Sequence, residues 1–169
     1  MYHYGEKTMT PGICIWLVLM QGGMGAQRPI EDLFSAIRAV ESRDNDKAVG
    51  DGGRAIGAYQ IHYAYWRDSG VPGRWKQCRN RKYAERVMRA YWRRFCPKAL
   101  AAGDWQTLAM VHNGGPNGHV KRTALNYWRK LRCAIVYQDR MTMKRSALKS
   151  SNSKNLALEG PSKAVKRER

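Results

Sequence analysis

Apolar residues recur along this chain at intervals of three and four in separate blocks, each of which predicts a helix. Ile30, Leu33, Phe34, Ile37 and Val40 form the first stripe, and Pro29, Glu31 and Asp32 suit its opening turn. Tyr83, Val87, Tyr91 and Phe95 share a second stripe, with Lys82, Arg86, Arg89 and Arg93 elsewhere around the axis as a solvated face. Asp104 can cap a third helix in which Trp105, Leu108 and His112 align before the segment His112-Asn113-Gly114-Gly115-Pro116-Asn117-Gly118. Val120, Ala124, Tyr127 and Leu131 mark a last one. Between the first two helices the pattern breaks. Asp44, Asn45, Asp46, Gly50, Asp51, Gly52, Gly53 and Gly57 are all turn formers, which predicts a loop or short hairpin packed beside the first helix. The expected fold is therefore mainly α (α+β), a helical domain over residues 27–133 with one small β-hairpin or irregular β region.

Both ends of the chain read differently. Ile13 to Met20 is an eight-residue apolar run followed by small residues up to Ala26, too short to span a bilayer and suited to a secretory signal over residues 1–26. A buried strand or an uncleaved anchor would use the same run. Residues 134–169 are rich in Ser, Lys and Arg with weak apolar periodicity, and a basic, disordered tail is expected there. Such a tail either holds the protein near an anionic surface or only aids solubility.

Charge narrows the partners. The chain carries 31 Lys+Arg against 13 Asp+Glu, a formal net charge of +18. A charge of this size speeds encounters with polyanions, among them nucleic acid, anionic lipid and bacterial wall polymers. No zinc-finger spacing, phosphate-cradling loop or RNA-recognition aromatic signature supports a specific nucleic-acid reader. Of the four cysteines, Cys14 falls in the predicted signal. Cys78 and Cys96 bracket the second predicted helix and could pair in an oxidising compartment, worth about 3 kcal/mol for a loop of this length, or all three could stay reduced. Nothing in the Cys and His spacing argues for a metal, and no cofactor is expected.

Glu41 is the residue with the sharpest chemistry. It lies four positions after Ile37 and seven after Phe34, on the apolar stripe of the first helix. A carboxyl group against an apolar face has its charged form disfavoured, which raises its pKa toward that of a general acid. The bland alternative is a helix-end carboxylate paired with Arg38 or Arg43. Asp51 offers a second carboxylate within the turn-rich segment, and cleavage of a glycosidic bond commonly uses two acids held in unlike environments.

Over about residues 38–132 the chain resembles the invertebrate-type lysozymes, also called the destabilase-lysozyme family. The resemblance is carried by Val40-Glu41-Ser42, Asp51-x-Gly53, Gly57-x-Tyr59-Gln60-Ile61, Ala64-Tyr65-Trp66-x-Asp68-x-Gly70 and Trp75-Lys76-x-Cys78. Tyr91, Cys96-Pro97, His112-Asn113-Gly114-Gly115-Pro116-x-Gly118 and Tyr127-Trp128-x-x-Leu131 complete it. It implies a lysozyme-like fold and hydrolysis of the β-1,4 bond between N-acetylmuramic acid and N-acetylglucosamine in peptidoglycan. Glu41 would be the general acid and Asp51 the second carboxylate, with Tyr59, Gln60, Tyr91, His112, Asn113 and Gly114 contacting the sugars. The signal reading places the protein outside the cell or in the periplasm or cell envelope, the charge points to an anionic bacterial surface, and a monomer is expected.

The departure from the family pattern is a shorter, cysteine-free connection around Asp51, so Asp44 or Asp46 could stand in its place. A single-glutamate lytic transglycosylase shares the Glu, Gly-x-Tyr-Gln-Ile and Asn-Gly-Gly-Pro elements. Some family members also cut isopeptide bonds. Arg54 here replaces the serine that often follows the Asp-x-Gly turn, and nucleophilic catalysis needs a hydroxyl or thiol near a base, which counts against that activity. A non-catalytic cationic wall-binding protein and a basic nucleic-acid-binding protein are the remaining classes.

Overall fold

The structure is a computed structural model and describes residues 28–158; the predicted signal segment and the last eleven residues lie outside them. Helix α1 (Ile30–Ser42) follows Pro29 and carries Glu31 and Asp32 in its first turn, where carboxylates favour the positive end of the helix dipole. Leu33, Phe34, Ala36 and Ile37 form its buried stripe. Three two-residue strands come next, β1 (Val49–Gly50), β2 (Ala55–Ile56) and β3 (Ile61–His62), in an antiparallel sheet of order β1-β2-β3. Val49 pairs with Ile56 and Ile56 with Ile61, while Gly50, Ala55 and His62 make the neighbouring row. Helices α2 (Tyr63–Ser69), α3 (Arg81–Phe95), α4 (Pro97–Ala102), α5 (Trp105–Gly114) and α6 (Arg122–Leu158) complete the order, with 3-10 turns at Asp51–Gly53, Trp75–Arg79 and Gly118–Val120.

One apolar core binds the helices to the sheet. The Phe34 ring of α1 stacks on Trp92 of α3 at 5.6 Å and 13°. Trp92 in turn donates its indole N–H to the Leu108 carbonyl of α5 at 3.0 Å. A buried aromatic with its polar edge satisfied in this way contributes both burial and registry. Asp104 caps α5 as its sequence suggests, accepting from the Thr107 amide at 3.1 Å. The sheet is pinned at Gly57, whose φ is +76° and whose missing side chain lets it approach the turn at Cys78; a Cβ there would lie 2.4 Å from the Cys78 carbonyl. Only glycine meets both demands.

Three expectations are corrected. Helix α6 does not stop near Cys133 but runs on to Leu158, so residues 134–158 are helical rather than a disordered tail. From His119 to Glu159 the chain has neither glycine nor proline, and Ile135 is buried while Gln138 and Asp139 bond back to Ser35 and Arg28 of the α1 region. Val120 precedes this helix in a 3-10 turn and is exposed, not part of its stripe. The Cys78–Cys96 bridge is not formed, and Cys78, Cys96 and Cys133 are free thiols. The two candidates stand beyond opposite ends of the 15-residue helix α3, about 22 Å of helix at 1.5 Å per residue. A disulfide requires Cα atoms within about 7 Å. No helix of the described residues is long and apolar enough to cross a membrane.

Candidate active site

Glu41 sits in the last turn of α1, and the core stripe beneath it leaves its side chain only 19 % exposed. Burial raises its pKa above the usual carboxylate value, and the negative charge of Asp51 adds to the rise. The Tyr127 hydroxyl of α6 opposes this, lying near the carboxyl although it closes no hydrogen bond there. His112 of α5 faces the same carboxyl, Nε2 lying 3.8 Å from Oε1. Burial pushes the His112 pKa down to about 4, so the imidazole is neutral beside Glu41 and offers no cation that would hold it ionised. The alternative partners from the sequence do not compete. Arg38 turns to Asp44 at 2.7 Å and to the Tyr59 hydroxyl at 2.7 Å.

Asp51 occupies different ground. It opens the turn between β1 and β2, 60 % of its side chain is exposed, and its carboxylate accepts from His62 Nε2 at 2.8 Å. Asp44 and Asp46 are turned to α3 instead, where Arg81 holds both, Nη1 lying 3.3 Å from Asp44 and Nε 2.6 Å from Asp46. Neither lines the cleft, whereas Glu41 and Asp51 both do.

That cleft encloses about 680 Å³ and also gathers Gln60, Tyr91, His112, Asn113 and Gly114. Its floor is aromatic: Tyr65 stacks on Tyr91 at 3.7 Å and meets His112 edge to face at 5.5 Å. Burial raises the Tyr91 hydroxyl to about 12, so at neutral pH it is a neutral donor. Tyr59 is the one expected sugar contact that the fold removes. Its ring is fully buried, and its hydroxyl is engaged by Arg38 and donates to Glu85 of α3. Gln60 has a positive φ of +49°, so the backbone reverses there and successive side chains do not follow simple strand alternation. Tyr59 instead joins α1, the sheet and α3 behind the cleft.

Residues not assigned from sequence also line the site. His62, Ala64, Tyr65 and Asp68 come from the end of the sheet and from α2, and Gly115 and Pro116 from the turn after α5. The Ala64-Tyr65-Trp66-x-Asp68 block carried the signal for three of them and the His112-Asn113-Gly114-Gly115-Pro116 block for two more, Gly115 and Pro116. No group of three or more His, Cys, Asp or Glu among the described residues could hold a metal ion.

The model of the Destabilase family matches residues 31–134, the span that contains the whole cleft. The chain belongs to the destabilase family. Among relatives of this destabilase-family chain, a lysozyme of Meretrix lusoria is 34% identical over 114 residues, 65% of this chain and 90% of that protein. Lysozyme 1 of Crassostrea virginica is 35% identical over 79 residues, 46% of this chain, and the match spans less than half of that relative, 43%. The crystal structure of Tapes japonica lysozyme superposes with a TM-score of 0.53 at 28% identity, over 60% of this chain and 86% of that one. Family and fold are those of a lysozyme-type glycosidase.

Proposed function

We propose that this destabilase-family chain hydrolyses the β-1,4 bond between N-acetylmuramic acid and N-acetylglucosamine in peptidoglycan. The observation that carries the reading is one cleft lined by two carboxyl groups in opposite environments, Glu41 sunk against the core and Asp51 open to solvent. Glu41 donates its proton to the leaving glycosidic oxygen as the bond breaks. The anomeric carbon, now carrying positive charge, is met by the Asp51 carboxylate from the opposite face. Water then displaces Asp51 while Glu41 takes back a proton, and the product keeps its anomeric configuration. The Tyr91 hydroxyl at the cleft lining suits a sugar hydroxyl, and the Gln60 and Asn113 amides suit N-acetyl groups. A formal charge of +18 draws such a protein to anionic envelope polymers.

Clearing of a bacterial wall suspension tests the reading. Wild type is expected to clear it, and Glu41→Gln to fail while still folding and binding. Clearing that survives Glu41→Gln removes the enzymatic reading in favour of cationic binding. Mass analysis of the fragments separates two chemistries that share Glu41: a reducing muramic end marks hydrolysis, and an anhydromuramic end marks a transglycosylase in which Asp51 takes no part.

A further inference from the structure

We infer that His62 is a positioning residue for Asp51, an inference that rests on the reading of Asp51 as the second carboxylate. The turn that carries Asp51 is loosely built. Asp51, Gly52 and Gly53 have successive φ values of +48°, +62° and +94°, all in the left-handed region that a side chain other than glycine, Asn or Asp occupies at a cost. Arg54 holds only the backbone, its Nε donating to the Asp51 carbonyl at 3.0 Å. The carboxylate has one side-chain partner among the described residues, His62 Nε2 at 2.8 Å.

The sheet explains why His62 reaches it. Gly50, Ala55 and His62 lie in one row across β1, β2 and β3, and Asp51 directly follows Gly50 at the end of that row. His62 and Ala55 line the cleft together with Asp51. An ionised carboxylate only accepts hydrogen bonds, so Nε2 carries the proton and donates to Oδ2. That bond takes up Oδ2 and leaves Oδ1 free to face an anomeric carbon. Without it the side chain would sample its rotamers on a turn that Arg54 braces only through the backbone, and a nucleophile displaced by about 1 Å can lose up to about 10²-fold in rate.

The test is steady-state kinetics on a soluble peptidoglycan oligosaccharide with the full chain, with thermal unfolding as a folding check. His62 is half exposed, so His62→Ala is expected to unfold at the wild-type temperature. Its kcat is expected to fall about tenfold with KM within about twofold, because an orienting contact acts on the reacting group more than on binding. His62→Gln, which keeps an amide N–H donor at similar reach, is expected to recover most of that loss. In an Asp51→Asn background, His62→Ala is expected to cost nothing further, since coupled residues are not additive. Full kcat in His62→Ala, no recovery by His62→Gln, or an equal loss in the Asp51→Asn background would each overturn the inference while leaving the role of Asp51 intact. An Asp51→Asn variant with undiminished kcat would instead remove the Asp51 reading, and the inference with it.

Discussion

The Glu41 wall of the cleft is a helix packed into the core, whereas the Asp51 wall is a glycine-rich turn raised on two-residue strands. The helix removes water from its carboxyl group, and the turn leaves its own in water. This division of labour is what two-carboxylate chemistry requires, because a proton donor must resist ionisation at the pH where its partner is charged. The difference also shows where the fold invests its packing. Phe34 and Ile37 beneath Glu41 are buried, and no residue of the Asp51 turn is.

Removing the acid should break the comparison most severely. Glu41→Gln is expected to lower kcat by about 10³-fold, within the range of a lost general acid, and to raise thermal stability at neutral pH. The sign follows from the upward pKa shift. Below the ordinary carboxyl value of 4.5 the group is protonated whether folded or unfolded, and wild type and variant should match. As pH rises toward and through the elevated folded value, the unfolded chain gains by ionising and wild type loses stability. Unfolding temperatures of both proteins from pH 4 to 8 check this, and a variant without a neutral-pH gain would mean the carboxyl is not desolvated.

Protonation of His112 is expected next in size. Its folded pKa near 4 lies below its ordinary 6.5, so stability is full above 6.5 and lost as pH falls through that interval, on the order of 3 kcal/mol. Urea unfolding at pH 7 and pH 4 in the Glu41→Gln background, where the opposite trend of Glu41 is gone, should reveal it. Tyr59→Phe should cost about 1 to 3 kcal/mol, because Arg38 and Glu85 lose a buried hydroxyl partner. Chemical denaturation measures that loss, and it should weaken the whole frame rather than either carboxylate alone. Gly52→Ala has the smallest effect, about 1 kcal/mol for a left-handed alanine. Open space surrounds Gly52, so the cost is backbone strain confined to the Asp51 wall, read as a small drop in unfolding temperature.

The helices were legible because their stripes are long and their signals local. The period of Ile30 to Val40 placed α1 and set Glu41 on its inner face, and Asp104 marked the start of α5. The lysozyme-like fold followed from blocks such as His112-Asn113-Gly114-Gly115-Pro116. Tyr59 was misread because the positive φ of Gln60 is a tertiary outcome that no spacing announces. The length of α6 was misread for the opposite reason: Ser, Lys and Arg suggested disorder, while the lack of any helix breaker before Gly160 carried the better signal. His62 could not be singled out from sequence, since its partnership with Asp51 exists only once three strands align.

Cys78 is buried as a free thiol, and burial pushes its pKa up to about 12, which leaves little thiolate to react. The joints between α1, the sheet and α3 are aromatic stacking and the Arg38–Tyr59–Glu85 and Arg81–Asp46 bonds, none of which involves sulfur chemistry. Assembly of the cleft is thus decoupled from oxidation. The protein should fold in a reducing bacterial cytoplasm during production, and its melting curve should be the same with and without dithiothreitol.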